Sequence, residues 1–164
     1  MINDLSYLPA DEFVFIDSNI FTYHLNKHSR YFSRTLEIFN KVESGGLKAV
    51  VNCMVVSEVM LNFIKAKLSE KGICAPDKAT VVLKENPKLL ALINFNPVMQ
   101  LFSLPNLSIT SIATVKGLDE FAKKYSLLPN DALNALTCRN TGIKNIITND
   151  SDYASIDFLA VWKP

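Results

Sequence analysis

Three short runs, FVFI at 13–16, KAVVN at 48–52 and NIIT at 145–148, are apolar at successive positions instead of alternating with polar ones. Each is too short for a helix and contains no Gly or Pro, so each reads as a strand buried on both faces. Strands of that kind belong to a parallel sheet covered by helices on both sides. LSIT at 107–110 and FLAVW at 158–162 are weaker candidates, the second an expected edge strand.

Between the strands the apolar period lengthens to that of a helix. SRTLEIFNKVESG stops at Gly45 and Gly46, and VVSEVMLNFIKAKLSEKG stops at Gly72, with Lys67 and Lys71 placed to suit the negative end of the helix dipole. TSIATVKGLDEFAKKYS at 110–126 reads as a further helix. PNDALNALTCRNTG starts at Pro129 and Asn130, carries Leu133, Leu136 and Thr137 as a stripe, and ends at Gly142. Pro76, Pro87, Pro97 and Pro105 break the region 73–105 into short helical pieces. The predicted fold class is therefore α/β: a three-layer α/β/α arrangement around a central, mainly parallel sheet. A single domain over 1–164 is expected, with 73–105 as a helical insertion or cap. No internal repeat is present.

Composition narrows this picture only slightly. A chain of 164 residues, 49% hydrophobic and 20% charged, can bury a core and is not the composition of a disordered protein. Cys53, Cys74 and Cys138 are widely spaced and form no CxxC pair, so they are expected to be reduced core thiols. The first residues resemble no signal peptide, and no apolar run approaches the roughly 20 residues that span a bilayer. A soluble, cytoplasmic protein without a membrane partner is expected. The formal net charge of +1 neither demands nor excludes a polyanionic ligand.

The acidic residues change the picture more. In open α/β sheets ligands bind beyond the carboxyl ends of the strands. Asp17 directly follows FVFI, and Asp150 follows NIIT after one intervening residue. Glu58 lies in the first turns of the helix after KAVVN, and Asp131 lies in the first turn of PNDALNAL. Taken singly, Asp17 reads as a cap, Asp150 as a turn residue and Asp131 as a helix N-terminal acid. Glu58 fits such a reading less well, because apolar residues surround it. Together the four would repel one another unless a cation sat among them, and an all-oxygen ligand set favours Mg²⁺ or Mn²⁺ over Zn²⁺.

FIDSNIF, VVSEVMLN, LLPNDALNAL and IITNDSDY, in this order and strand context, resemble the four acidic motifs of PIN-domain ribonucleases, including the VapC-type toxins of toxin–antitoxin pairs. The resemblance covers most of the chain outside 73–105. It implies a Mg²⁺- or Mn²⁺-dependent endoribonuclease with Asp17, Glu58, Asp131 and Asp150 as catalytic and metal-binding residues. Asp152 would join the metal site, and Ser18, Asn19 and Asn130 would support it. It also implies RNA as substrate and an antitoxin protein as partner. The apolar residues of VMLNFI read as core, and part of the same helix could also serve the interface of an expected homodimer. Tyr153 stands where the family often has Phe, and the chain is longer than a compact toxin.

Lys27, His28, Arg30 and Arg34, interleaved with Tyr31 and Phe32, form a basic and aromatic stretch. The stretch reads as an RNA-facing or antitoxin-facing surface, with Lys27, Arg30 and Arg34 the RNA-binding candidates. Lys65, Lys67 and Lys71 are explained equally well by surface solvation. His24 and His28, four apart, lack the HExxH context of a zinc helix. A haloacid-dehalogenase-type phosphatase would need Asp where Asn19 stands, and a receiver domain would need an early acidic pair. A non-catalytic PIN-like RNA- or protein-binding module is the alternative function.

Overall fold

The structure, a computed structural model, describes residues 2–8, 12–112 and 115–164. Its centre is a six-stranded sheet in the order β1-β6-β5-β2-β3-β4. The strands are β1 (Ile2–Asp4), β2 (Phe13–Ile16), β3 (Lys48–Asn52), β4 (Leu107–Thr110), β5 (Asn145–Ile147) and β6 (Ala160–Lys163). All five pairings are parallel. Val14, Phe15 and Ile16 of β2 are buried, as are Ala49 to Asn52 of β3 and all of β5. Cover on both faces of these central strands is what their uninterrupted apolar runs require.

The order places a topological switch beside β2. From β2 the chain moves outward through β3 to β4, then returns to the other side of β2 as β5 and continues to β6. Connections leaving β2 and β5 diverge there and open a crevice beyond their carboxyl ends. The ladder continues one residue past β2, because the Asp17 backbone N–H donates to Ile147 O at 3.1 Å.

One strand expectation is corrected. FLAVW does not form an edge: β6 starts at Ala160 and lies between β5 and β1. The edge on that side is the short N-terminal β1, whose three residues carry too little pattern to be read as a strand.

Among the described residues seven α-helices surround the sheet: α1 (Ser18–Leu25), α2 (Phe32–Ser44), α3 (Cys53–Glu70), α4 (Ala79–Glu85), α5 (Asn96–Phe102), α6 (Leu118–Tyr125) and α7 (Pro129–Thr141). None is long and apolar enough to cross a membrane among the described residues. The helix expected over 110–126 is shorter than its pattern. Thr110 belongs to β4, Gly117 in a left-handed conformation precedes Leu118, and residues 113 and 114 lie outside those described. Within 73–105, a 3-10 turn over Pro87–Leu92 joins α4 to α5. This segment is tied to the core by Phe102, which stacks on Phe21 of α1 with ring centroids 4.9 Å apart. The thiols are not uniformly buried: Cys138 is a core residue, Cys74 is half-buried and Cys53 is exposed.

Gly142 ends α7 at φ 73°, a conformation that costs an L side chain about 1–2 kcal/mol. Gly142→Ala is accordingly expected to lower Tm by roughly 2–8 °C in a thermal melt.

Candidate active site

Asp17 is 5% exposed and sits where β2 meets α1, as the cap of that helix. Its Oδ1 accepts from the Ser18 backbone N–H at 2.7 Å. Its Oδ2 accepts from Asn19 Nδ2 at 2.7 Å and from Thr148 Oγ1 at 2.6 Å. A carboxylate oxygen has two lone-pair positions, so Oδ1 keeps the free one and is the oxygen able to meet a ligand. The Ser18 backbone N–H and the Asn19 side chain thus both hydrogen-bond to Asp17. So does the hydroxyl of Thr148, buried just past the end of β5, although its place in an apolar run marked it only as strand.

Thr148 also joins the first and fourth motifs. Its Oγ1 accepts from Asn19 Nδ2 at 3.0 Å and from the Asp150 backbone N–H at 3.0 Å. The Asn149 N–H donates to Asn19 Oδ1 at 3.2 Å. Asp150 Oδ1 in turn accepts from the Asp152 N–H at 2.9 Å, which folds the loop back on itself. Asp152 itself is exposed and opens a 3-10 turn, Asp152–Ser155.

The second and third motifs meet from the other side. Asn130 Nδ2 donates to Glu58 Oε1 at 2.5 Å, linking α7 to α3. Asp131 Oδ1 accepts from the Tyr153 hydroxyl at 3.2 Å. That hydroxyl accepts from Asn134 Nδ2 at 3.3 Å, and Asn134 Oδ1 accepts from Asn52 Nδ2 at 2.9 Å. Asn52 Oδ1 then caps α3 by accepting from the Val55 N–H at 3.0 Å. This buried chain fixes the start of the Glu58 helix relative to Asp131. Asn52 and Asn134 went unnoticed as site residues; the available signal was a buried polar residue inside each apolar pattern.

Asn52→Ala removes the cap and leaves Asn134 Oδ1 without that buried donor. Lost capping costs about 0.5–2 kcal/mol and an unsatisfied buried group about 1–3 kcal/mol. A total loss of about 1.5–5 kcal/mol is expected in urea denaturation.

The acids form one electrostatic cluster. Burial pushes the Asp17 carboxyl up to about 6, against the hydrogen bonds from Thr148 and Ser18, while the charges of Asp131 and Glu58 push it further up. Asp131 is also raised, by burial first and then by the charges of Asp150, Glu58 and Asp152, with the Tyr153 hydrogen bond opposing. None of the described ion pairs involves these five acids. Among the described residues, no three His, Cys, Asp or Glu side chains close into a ready-made metal cage. An open, under-neutralised, all-oxygen crevice fits a hard divalent ion that keeps several waters and takes other ligands from its substrate.

The basic and aromatic stretch lies on α1, the following loop and the start of α2. His24 is half-buried, and burial lowers its pKa; His28 lies beyond the end of α1 and is exposed. The two histidines therefore share no helix face. Lys27, Arg30 and Arg34 are exposed, and Arg34 pairs with Glu37 at 3.5 Å. Lys27 adopts a left-handed backbone at φ 48° where α1 turns off.

Fold and site together define an α/β protein that gathers carboxylates at the switch point of a parallel sheet. The PIN domain family model matches residues 14–159. The chain is 32% identical over 148 residues to Ribonuclease VapC2 of Methanocaldococcus jannaschii, covering 90% of this chain and 91% of that protein. In fold it is similar to VapBC2 from Rickettsia felis, solved bound to a DNA fragment from their promoter, with a TM-score of 0.55 and 17% identity. That match covers 92% of this chain and 98% of the other. It is also similar to VapC20 of Mycobacterium tuberculosis, a sarcin-ricin loop cleaving toxin, with a TM-score of 0.50 and 14% identity over 89% of this chain and 96% of that one. The chain belongs to the PIN domain family, in its VapC-type branch.

Proposed function

We propose that the protein is a Mg²⁺- or Mn²⁺-dependent endoribonuclease acting as the toxin of a toxin–antitoxin pair. The observation that carries this reading is the cluster of Asp17, Glu58, Asp131, Asp150 and Asp152 at the sheet's switch point, where neighbouring carboxylate charges add to burial in raising the pKa of Asp17 and of Asp131. Membership in a branch that includes a named ribonuclease supports RNA as the substrate.

In this reading Asp17 and Asp131 are the principal metal ligands: Asp17 has both oxygens held and keeps a free lone pair on Oδ1, and Asp131 has Oδ1 held by Tyr153. Glu58, held by Asn130, completes the shell or orients a water. Asp150 supports a second ion or its waters, and Asp152 holds Asp150 through its backbone N–H. Ser18 and Asn19 keep Asp17 in one rotamer. A divalent ion, when bound, supplies positive charge at the scissile phosphate and makes water a stronger nucleophile. A cytoplasmic location, an antitoxin partner and a homodimer that uses part of α3, where Leu61 is exposed, belong to the same reading.

The test is incubation of the purified protein with a panel of single-stranded RNAs in Mg²⁺ or Mn²⁺, with a chelated control. Cleavage that stops on chelation is expected. Calorimetric ion binding without cleavage of any RNA would instead favour the non-catalytic binding module.

A further inference from the structure

Three aromatic rings stand at the edge of the acidic crevice. Tyr23 of α1 and Tyr31 at the start of α2 stack with centroids 4.6 Å apart and planes 23° apart. His28, from the loop between them, stacks on Tyr31 at 5.0 Å and tilts against Tyr23 at 5.0 Å. The Arg30 guanidinium lies 5.2 Å from the Tyr31 ring centroid.

The group is tied to the site by hydrogen bonds. Asn149 Nδ2 donates to the Tyr23 hydroxyl at 3.1 Å and to the Tyr31 hydroxyl at 3.4 Å. The Asn149 backbone N–H donates to Asn19 Oδ1, and Asn19 Nδ2 donates to Asp17 Oδ2. Two residues thus connect the rings to the first carboxylate, and Asn149 immediately precedes Asp150.

We infer that Tyr23, His28 and Tyr31 form a platform on which an unpaired base of the RNA, next to the scissile phosphate, stacks, with Arg30 and Lys27 meeting the flanking phosphates. The inference rests on the ribonuclease reading and adds which side chains receive a base. The cluster is not core: His28 is exposed, and Tyr23 and Tyr31 are only half-buried. Neither Lys27 nor Arg30 takes part in a described ion pair. Aromatic faces accept bases of any identity, while a base inside a duplex is already covered by its neighbours. The cut is therefore directed to single-stranded or looped RNA. Asn149 acts as a positioning residue that keeps platform and carboxylate in register.

The experiment measures binding of fluorescein-labelled single-stranded oligoribonucleotides by anisotropy in an Asp17→Asn background. The probes are a parent sequence and copies with an abasic ribose at one position each. At one position the abasic copy should bind about 5- to 150-fold more weakly, the loss for one stacked base. His28→Ala and Tyr31→Leu, added to that background, should weaken the parent and erase its advantage over that abasic copy, whereas Tyr31→Phe should retain the advantage. Ring variants that bind RNA unchanged, or that keep the full abasic effect, overturn the inference, even if they lose capture of a co-expressed antitoxin. Cleavage by the wild-type protein is measured in parallel. Cleavage accompanied by unaffected ring variants sinks the platform alone, and absence of both binding and cleavage sinks the nuclease reading with it.

Discussion

Asp17→Asn is expected to lower RNA cleavage by more than about 100-fold while the protein stays folded. Changes outside the ligand shell of a metal typically cost 10–100-fold, and loss of a ligand should exceed that. The substitution preserves shape. An amide oxygen in the place of Oδ2 still accepts from Asn19 and Thr148. The amide nitrogen then faces the Ser18 N–H, at a cost of about 0.5–1.5 kcal/mol, and removal of the buried charge offsets it. A second readout separates ligand loss from general damage. Ion at 100 times its Kd stabilises the folded state by about 2.7 kcal/mol, which corresponds to roughly 5–11 °C in Tm. Wild type should show that rise with Mn²⁺, and the variant should lose most of it. A variant that cleaves RNA at the wild-type rate, or that keeps the full thermal response, would remove Asp17 from the ligand set.

The second expectation concerns pH in the presence of chelator. The Asp17 carboxyl titrates near 3.8 in an unfolded chain and is raised to about 6 in the fold. Between those values the folded state holds a proton that the unfolded state has released. Stability therefore falls as pH rises through this window. The raised value has the opposite consequence from that of a salt-bridged aspartate: its contribution is complete below 3.8 and lost above about 6. The difference of 2.2 pH units (6 − 3.8) sets a ceiling of about 3 kcal/mol. Asp131 is displaced in the same direction, whereas the lowered pKa of His24 works the other way. The comparison that isolates Asp17 is thus wild type against Asp17→Asn by urea denaturation across this range. The variant's relative stability should rise with pH by up to about 3 kcal/mol. Saturating Mn²⁺ should reverse the trend for wild type, because a bound ion favours the ionised carboxylate. A wild-type–variant difference that does not change with pH would show that burial does not penalise the charge.

Much of this architecture was legible in the chain. FVFI, KAVVN and LSIT match β2, β3 and β4 residue for residue; for the first two the reason is that a central strand buried on both faces carries successive apolar residues, whereas β4 is an edge strand with Ser108 and Ile109 exposed. The positions of Asp17 and Asp150 beyond β2 and β5 followed from the same runs. The N-terminal β1 was not legible, because three residues at a sheet edge need no apolar pattern of their own. The stretch over 110–126 misled for a different reason. Its helical period is real only from Leu118 onward, and Thr110 pairs as strand with Asn52.

The supporting shell was the least legible part. Thr148, 131 positions from Asp17, and Asn52, 82 positions from Asn134, show no local signature of partnership. Alone, each is a polar residue at the end of a strand.

The sequence by itself determined the parallel sheet, the candidate acids and their family, because burial periodicity and motif order are local properties of the chain. The tertiary structure decided the rest. It set which oxygen of each carboxylate is held, which buried amides hold it, and that Tyr23, His28 and Tyr31 stand beside Asp17. Those outcomes depend on the switch in strand order, which brings β2 and β5 side by side although more than a hundred residues separate them.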